Sequence, residues 1–207
     1  MIFVIFTFLS IGEVIVRVNY DYISNYDTEM WKYASFAKQL SEDPLISHVH
    51  KPNVNIDLYG VNVKINSKGL REYEYEYEKP EDVKRILVLG DSITFGWGVD
   101  FEDIYSKVLE RKLRDYQVIN TGVGNYNTNM EVVFLNREGL KYEPDLIILG
   151  YYINDAELTP KTIGHSIKKY SYLYGYLWSK YVKSIGRFSR RGNYMDYYLG
   201  LYDDNFE

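Results

Sequence analysis

Three short apolar runs at 85–90, 117–120 and 145–151 alternate with helical stretches at 102–114 and 128–140. That alternation constrains the fold more than any other feature of the chain. Runs of strand length that are apolar throughout, rather than at every second residue, belong to strands covered on both faces, as in a parallel sheet flanked by helices. In the first stretch Ile104, Val108, Leu109 and Leu113 form one apolar stripe, as a helix laid on a sheet requires. The predicted fold class is therefore α/β, a three-layer parallel sheet.

The bulk properties fit such a core. Hydrophobic residues make up 46% of the 207 and charged residues 26%, which excludes general disorder. A net charge of −5 argues against nucleic acid as the partner of the domain as a whole. With no cysteine, thiolate metal sites, cysteine nucleophiles and disulfides are excluded.

The sheet is preceded by a lead-in. Residues 1–18 carry no charge before Glu13 and are rich in Ile, Val, Phe and Leu. They read as an uncleaved membrane anchor, with a cleaved signal or a buried helix as alternatives. Residues 28–41 read as a helix capped by Thr28, with Trp31, Ala34, Phe36, Ala37 and Leu40 on its apolar face. Residues 52–66 read as a hairpin about Tyr59-Gly60, followed by a turn at 66–69. In the EYEYEYE run at 72–78 an extended chain separates tyrosines from carboxylates, and the run is assigned to a solvated edge or linker. The expected organisation is 1–20 anchor or signal, 21–82 lead-in, and 83–207 the α/β domain.

Chemistry is expected where the chain leaves each strand, because α/β folds bind ligands at the carboxyl edge of the sheet. After the first strand comes Gly90-Asp91-Ser92-Ile93-Thr94-Phe95-Gly96-Trp97-Gly98, which makes Ser92 a candidate nucleophile. A phosphate loop is disfavoured: neither Gly-Lys-Ser/Thr nor G-x-G-x-x-G occurs in it, and Asp91 opposes an anion. After the second strand comes Asn120-Thr121-Gly122-Val123-Gly124-Asn125-Tyr126-Asn127-Thr128, and after the third Gly150-Tyr151-Tyr152-Ile153-Asn154-Asp155. Taken alone, Asn127 and Asn154 could simply cap turns.

These three segments, in this order, resemble the first three sequence blocks of the SGNH (GDSL-type) hydrolases, over roughly residues 64–156. The resemblance implies a flavodoxin-like fold of about five sheet strands and Ser92 as the acyl nucleophile. It also implies oxyanion donors at the Ser92 N–H, the N–H of Asn125 or alternatively Gly124, and the Asn154 amide. Asn125 stands where the family pattern has glycine. The implied chemistry is cleavage of an O-acyl ester through an acyl-serine, with no metal and no other cofactor. A carbohydrate O-acetyl ester is the preferred substrate, and transfer to water or to another hydroxyl remains open. Asn66-Ser67-Lys68-Gly69-Leu70-Arg71 also resembles the approach to the domain in membrane-anchored bacterial members, which implies an extracytoplasmic, membrane-anchored location.

The Asp-x-x-His block that completes this family's site is missing. His165 has no aspartate three residues before it, His48 and His50 precede the sheet, and His48-Val49-His50 reads as a surface pair rather than a metal pair. The expectation is accordingly a fragment covering blocks one to three, with low activity of its own. A non-catalytic glycan- or membrane-binding module is the alternative, and a nucleotide-binding α/β domain a third reading. Residues 161–191 hold eight Lys or Arg and no acid among many aromatics, and read as a solvated basic helix over the sheet, or else as a bilayer-facing segment.

Overall fold

The computed structural model describes residues 2–156, 159 and 171–188. Their contacts divide the chain into two compact units, Met1–Ser35 with Ile163–Glu207, and Phe36–Thr162.

The first unit is helical: α1 (Ile2–Val18), α2 (Tyr20–Ile23), α3 (Tyr26–Lys32) and α7 (Tyr172–Phe188). Asn25 caps α3, its side chain accepting from the Asp27 and Thr28 N–H groups while Thr28 Oγ1 accepts from the Asn25 N–H. Glu13, the one acid of α1, accepts from the Tyr172 and Leu173 N–H groups and from Ser171 Oγ, so it caps α7. Those bonds and Arg17 hold the Glu13 carboxyl below its ordinary range, although burial pulls the other way. Phe3, Phe6 and Phe8 of α1 are largely exposed. Among the described residues no helix is long and apolar enough to cross a membrane; the 17 residues of α1 span only about 25 Å.

The second unit is built on a parallel sheet of order β6-β5-β7, with β5 Lys84–Gly90, β6 Tyr116–Asn120 and β7 Leu146–Gly150. Alternation along the central strand makes the layers. Leu87 and Leu89 pack with Ile119, Met130 and Phe134, the last two on α6 (Thr128–Arg137). Ile86 and Val88 pack with Val118 and with Leu109 of α5 (Tyr105–Lys112) on the opposite face. These are the strands and helices expected, in the expected order; among the described residues the sheet has three strands.

Two antiparallel hairpins precede the sheet in the same unit. The second, β3 (Asn55–Leu58) with β4 (Val61–Lys64), turns at Tyr59 and Gly60, both at positive φ, as expected. The first, β1 (Lys38–Leu40) with β2 (His48–His50), corrects the predicted helix over 28–41. Helix α3 ends at Lys32, a wide turn follows over Tyr33–Ala37, and Lys38, Gln39 and Leu40 pair with His50, Val49 and His48. Helical periodicity yields there to cross-strand pairing.

The tyrosine–glutamate run is not an edge strand. Glu74, Glu76 and Glu78 are exposed, and Tyr75 and Tyr77 pack on the core. Glu72 departs from the expected solvation: its side chain is fully buried and paired with Lys107 at 2.6 Å. Arg85 of β5 anchors the run by donating to the carbonyls of Glu76, Tyr77 and Glu78.

Candidate active site

Ser92 opens the single-turn helix α4 (Ser92–Phe95) directly after β5. Asp91 caps the turn, its Oδ1 accepting from the Ile93 N–H at 2.8 Å. Gly96 ends it with φ +81, a conformation that favours glycine, and a Cβ there would stand 2.6 Å from Ile104. The buried Arg71 guanidinium then collects the freed carbonyls: Nη1 donates to Phe95 O and Gly96 O, and Nη2 to Val99 O. The Ser92 turn is thus braced from the lead-in.

The loop after β6 lies directly against this turn. A Cβ on Gly122 would fall 2.3 Å from the Phe95 nitrogen, so only glycine admits the approach. Asn120 Nδ2 donates to Thr94 O at 2.7 Å, and the Val123 N–H to Gly90 O at 3.1 Å. Asn127 caps α6 through the Met130 N–H, the ordinary turn role of an asparagine. Asn125 sits at φ +67, a left-handed conformation that asparagine tolerates better than most residues. Among the described residues, no acceptor takes the main-chain N–H of Ser92 or of Asn125, and Ser92 Oγ has no partner either. Ser92 and Asn125 are both half-buried.

The loop after β7 brings Asn154 and Asp155 to the same edge. Asn154 Nδ2 donates to Tyr126 O at 3.0 Å, and its amide also bonds the Asp91 carboxyl. In this arrangement Asn154 is a strut between the Ser92 turn and the Asn125 loop. Asp155 accepts from the Tyr152 N–H and from Thr128 Oγ1. Under these loops three carboxyls gather. Burial and the neighbouring Asp155 and Asp91 push Glu131 up to about 8, and burial also raises Asp91. Among the described residues no cluster of acids and histidines has the arrangement to hold a metal ion.

The histidines that precede the sheet are not a surface pair. His50 is 2% exposed, its Nδ1 donating to Gly69 O at 3.0 Å, and His48 Nε2 donates to Gly124 O at 2.9 Å. Burial first and the neighbouring Lys38 second lower both imidazoles, His50 to about 3. A neutral His48 donating from Nε2 accepts at Nδ1 from Ser47 Oγ, 2.7 Å away. Lys38, also buried, donates to the same Gly124 carbonyl and lies 3.3 Å from Asn125 Oδ1. Sequence reading singled out Gly124 and Asn125 but missed the residues that hold them. The spacing of His48 and His50 on one strand face was the only signal; Lys38 gave none. His165 and much of the basic 161–191 segment lie outside the described residues, while its 172–188 portion forms α7.

Compared with known proteins, the chain matches no family model, and a search of curated proteins gives no significant match.

Proposed function

We propose that this chain carries the acyl-transfer half of a serine esterase site of the SGNH type, acting on O-acyl esters. The observation that carries the reading is the arrangement at the sheet edge. Among the described residues the Ser92 hydroxyl and the N–H groups of Ser92 and Asn125 are without partners, and both residues are half-buried on two loops that touch main chain to main chain. Attack by Ser92 Oγ on an ester carbonyl forms the C–O bond of a tetrahedral adduct, and its oxyanion takes the two N–H donors. Collapse breaks the bond to the alcohol, which leaves with the serine proton, and the acyl-serine then passes its acyl group to water or another hydroxyl. Asn154 enters as third donor when the oxyanion replaces one of its present acceptors. His48 and His50 stay neutral and bonded to main-chain carbonyls, so neither is assigned as base.

A flavodoxin-like frame agrees with the β6-β5-β7 order and its two helical layers. O-acetylated carbohydrate is the preferred substrate within the ester class. Membrane association through residues 1–18 belongs to the same proposal and is supported by the exposed phenylalanines of α1.

The test is labelling of the natural full-length protein by a fluorophosphonate ester, with the modified peptide mapped. Label on Ser92 that is abolished by Ser92→Ala is the expected result. An unlabelled serine under conditions that label a control esterase overturns the reading and favours a binding module.

A further inference from the structure

We propose that Lys38 and His48 are positioning residues of the oxyanion hole: by gripping the Gly124 carbonyl they aim and strengthen the Asn125 N–H as a donor to the acyl oxyanion.

The inference rests on the serine-esterase reading above and adds to it the device that makes a non-glycine loop serviceable. In a trans peptide the C=O and N–H point in opposite directions. The Gly124–Asn125 peptide, like every peptide of the described chain, is trans. Its carbonyl is turned toward the β1–β2 hairpin, where Lys38 Nζ and His48 Nε2 both donate to it. The Asn125 N–H therefore faces away from the hairpin, and no described residue accepts from it. Two donors on one carbonyl polarise the amide, and the N–H at its other end becomes the stronger donor.

Lys38 does a second thing. Its Nζ lies 3.3 Å from Asn125 Oδ1, so it holds the side chain of a residue whose φ of +67 is ordinarily left to glycine. The grip is itself held in place. Ser47 Oγ fixes the His48 tautomer, the Tyr126 ring lies edge-on to His48 with centroids 5.4 Å apart, and Tyr126 Oη donates back to His48 O at 2.9 Å. Hairpin and loop thus bond each other through Lys38 and His48 on one side and Gly124, Asn125 and Tyr126 on the other. A buried amine and imidazole with no such role would be a desolvation cost without return.

The experiment uses the full chain and a fluorophosphonate ester, reading kinact and KI separately in wild type, Lys38→Met, His48→Leu and His48→Gln. Glutamine can place an amide N–H near the position of Nε2, and leucine cannot. The expected result is a 10- to 100-fold fall in kinact for Lys38→Met with KI unchanged. His48→Leu should lose about tenfold, and His48→Gln should recover to within about threefold of wild type. Should Lys38→Met fail to fold, the two His48 variants decide. Labelling at the wild-type kinact in folded Lys38→Met, or equal losses in His48→Leu and His48→Gln, overturns the positioning role while leaving Ser92 as nucleophile. A wild type that never labels overturns the esterase reading, and the clamp's role with it.

Discussion

Replacing Lys107 by methionine keeps most of its side-chain volume and removes only the ammonium. That ammonium donates to Glu72 Oε1 at 2.6 Å, to Glu110 Oε2 at 2.5 Å and to Val118 O at 2.7 Å, with both Lys107 and Glu72 side chains buried. Glu72 in turn accepts from the Tyr73 N–H and from the Asn120 N–H, the residue from which the Asn125 loop departs. Breaking a buried pair by removing one partner costs roughly 3–5 kcal/mol, and the two remaining N–H donors on Glu72 place the loss near the lower end. The loss must depend on pH. Burial already pushes Glu72 up to about 7 against the pull of Lys107, and without Lys107 it goes higher. A carboxyl raised on folding gives stability that is full below its unfolded value and falls as pH rises to the folded value, by about 1.4 kcal/mol per pH unit. In wild type that fall ends near pH 7; in Lys107→Met it continues past pH 7, adding up to about 1.4 kcal/mol to the deficit by pH 8. Native-state exchange of the buried β5 and β6 amides at pH 5 and pH 8 reads both effects, since such amides open only with the sheet. The double variant Glu72→Gln/Lys107→Met has no charge left to bury and should regain most of the loss with little pH dependence. A single variant within about 0.5 kcal/mol of wild type at pH 8, or a deficit equal at both pH values, would refute the reasoning.

Two further outcomes follow from the same surroundings. Glu131, raised to about 8 by burial beside Asp155 and Asp91, destabilises the fold progressively as pH climbs from the ordinary carboxylate range to 8; Glu131→Gln should therefore melt higher than wild type at pH 8, by at least ~1 kcal/mol, and gain little at pH 5 in a thermal scan. Arg71→Met leaves the carbonyls of Phe95, Gly96 and Val99 without their common donor, and should cost about 3 kcal/mol or more in urea unfolding, with slower fluorophosphonate labelling of Ser92.

The sheet and its loops were legible because their signals are local. A strand buried on both faces is an apolar run by necessity, so 85–90 announces itself, whereas 145–151 is as apolar but leaves Leu146, Ile147 and Leu149 exposed among the described residues; glycine marks where backbones must touch, as Gly122 does against Phe95. Lys38, Gln39 and Leu40 carried no such mark. All three suit a helix, Leu40 continues the apolar stripe of α3, and only pairing with His48–His50 makes them a strand. Glu72 was hidden in another way, because strict alternation through 78 reads as one solvated face, while the partner that buries its first member lies 35 residues away at Lys107.

What escaped the sequence has a common physical character. Arg71, Arg85, Lys107 and Lys38 are all buried, and a buried basic side chain is tolerated only where acceptors surround it. Each donates to main-chain carbonyls: Arg71 to the end of the Ser92 turn, Lys107 to β6, Lys38 to Gly124, and Arg85 to the segment that leads into β5. Carbonyls are present at every residue, so no side-chain pattern records which of them will be chosen. Two of these residues, Arg71 and Lys38, come from the hairpin region before the sheet and grip the two loops that carry Ser92 and Asn125. The lead-in therefore belongs to the proposed site as a second layer: the loops after β5 and β6 supply the reacting groups, and residues 38–72 hold the peptide planes on which their geometry depends.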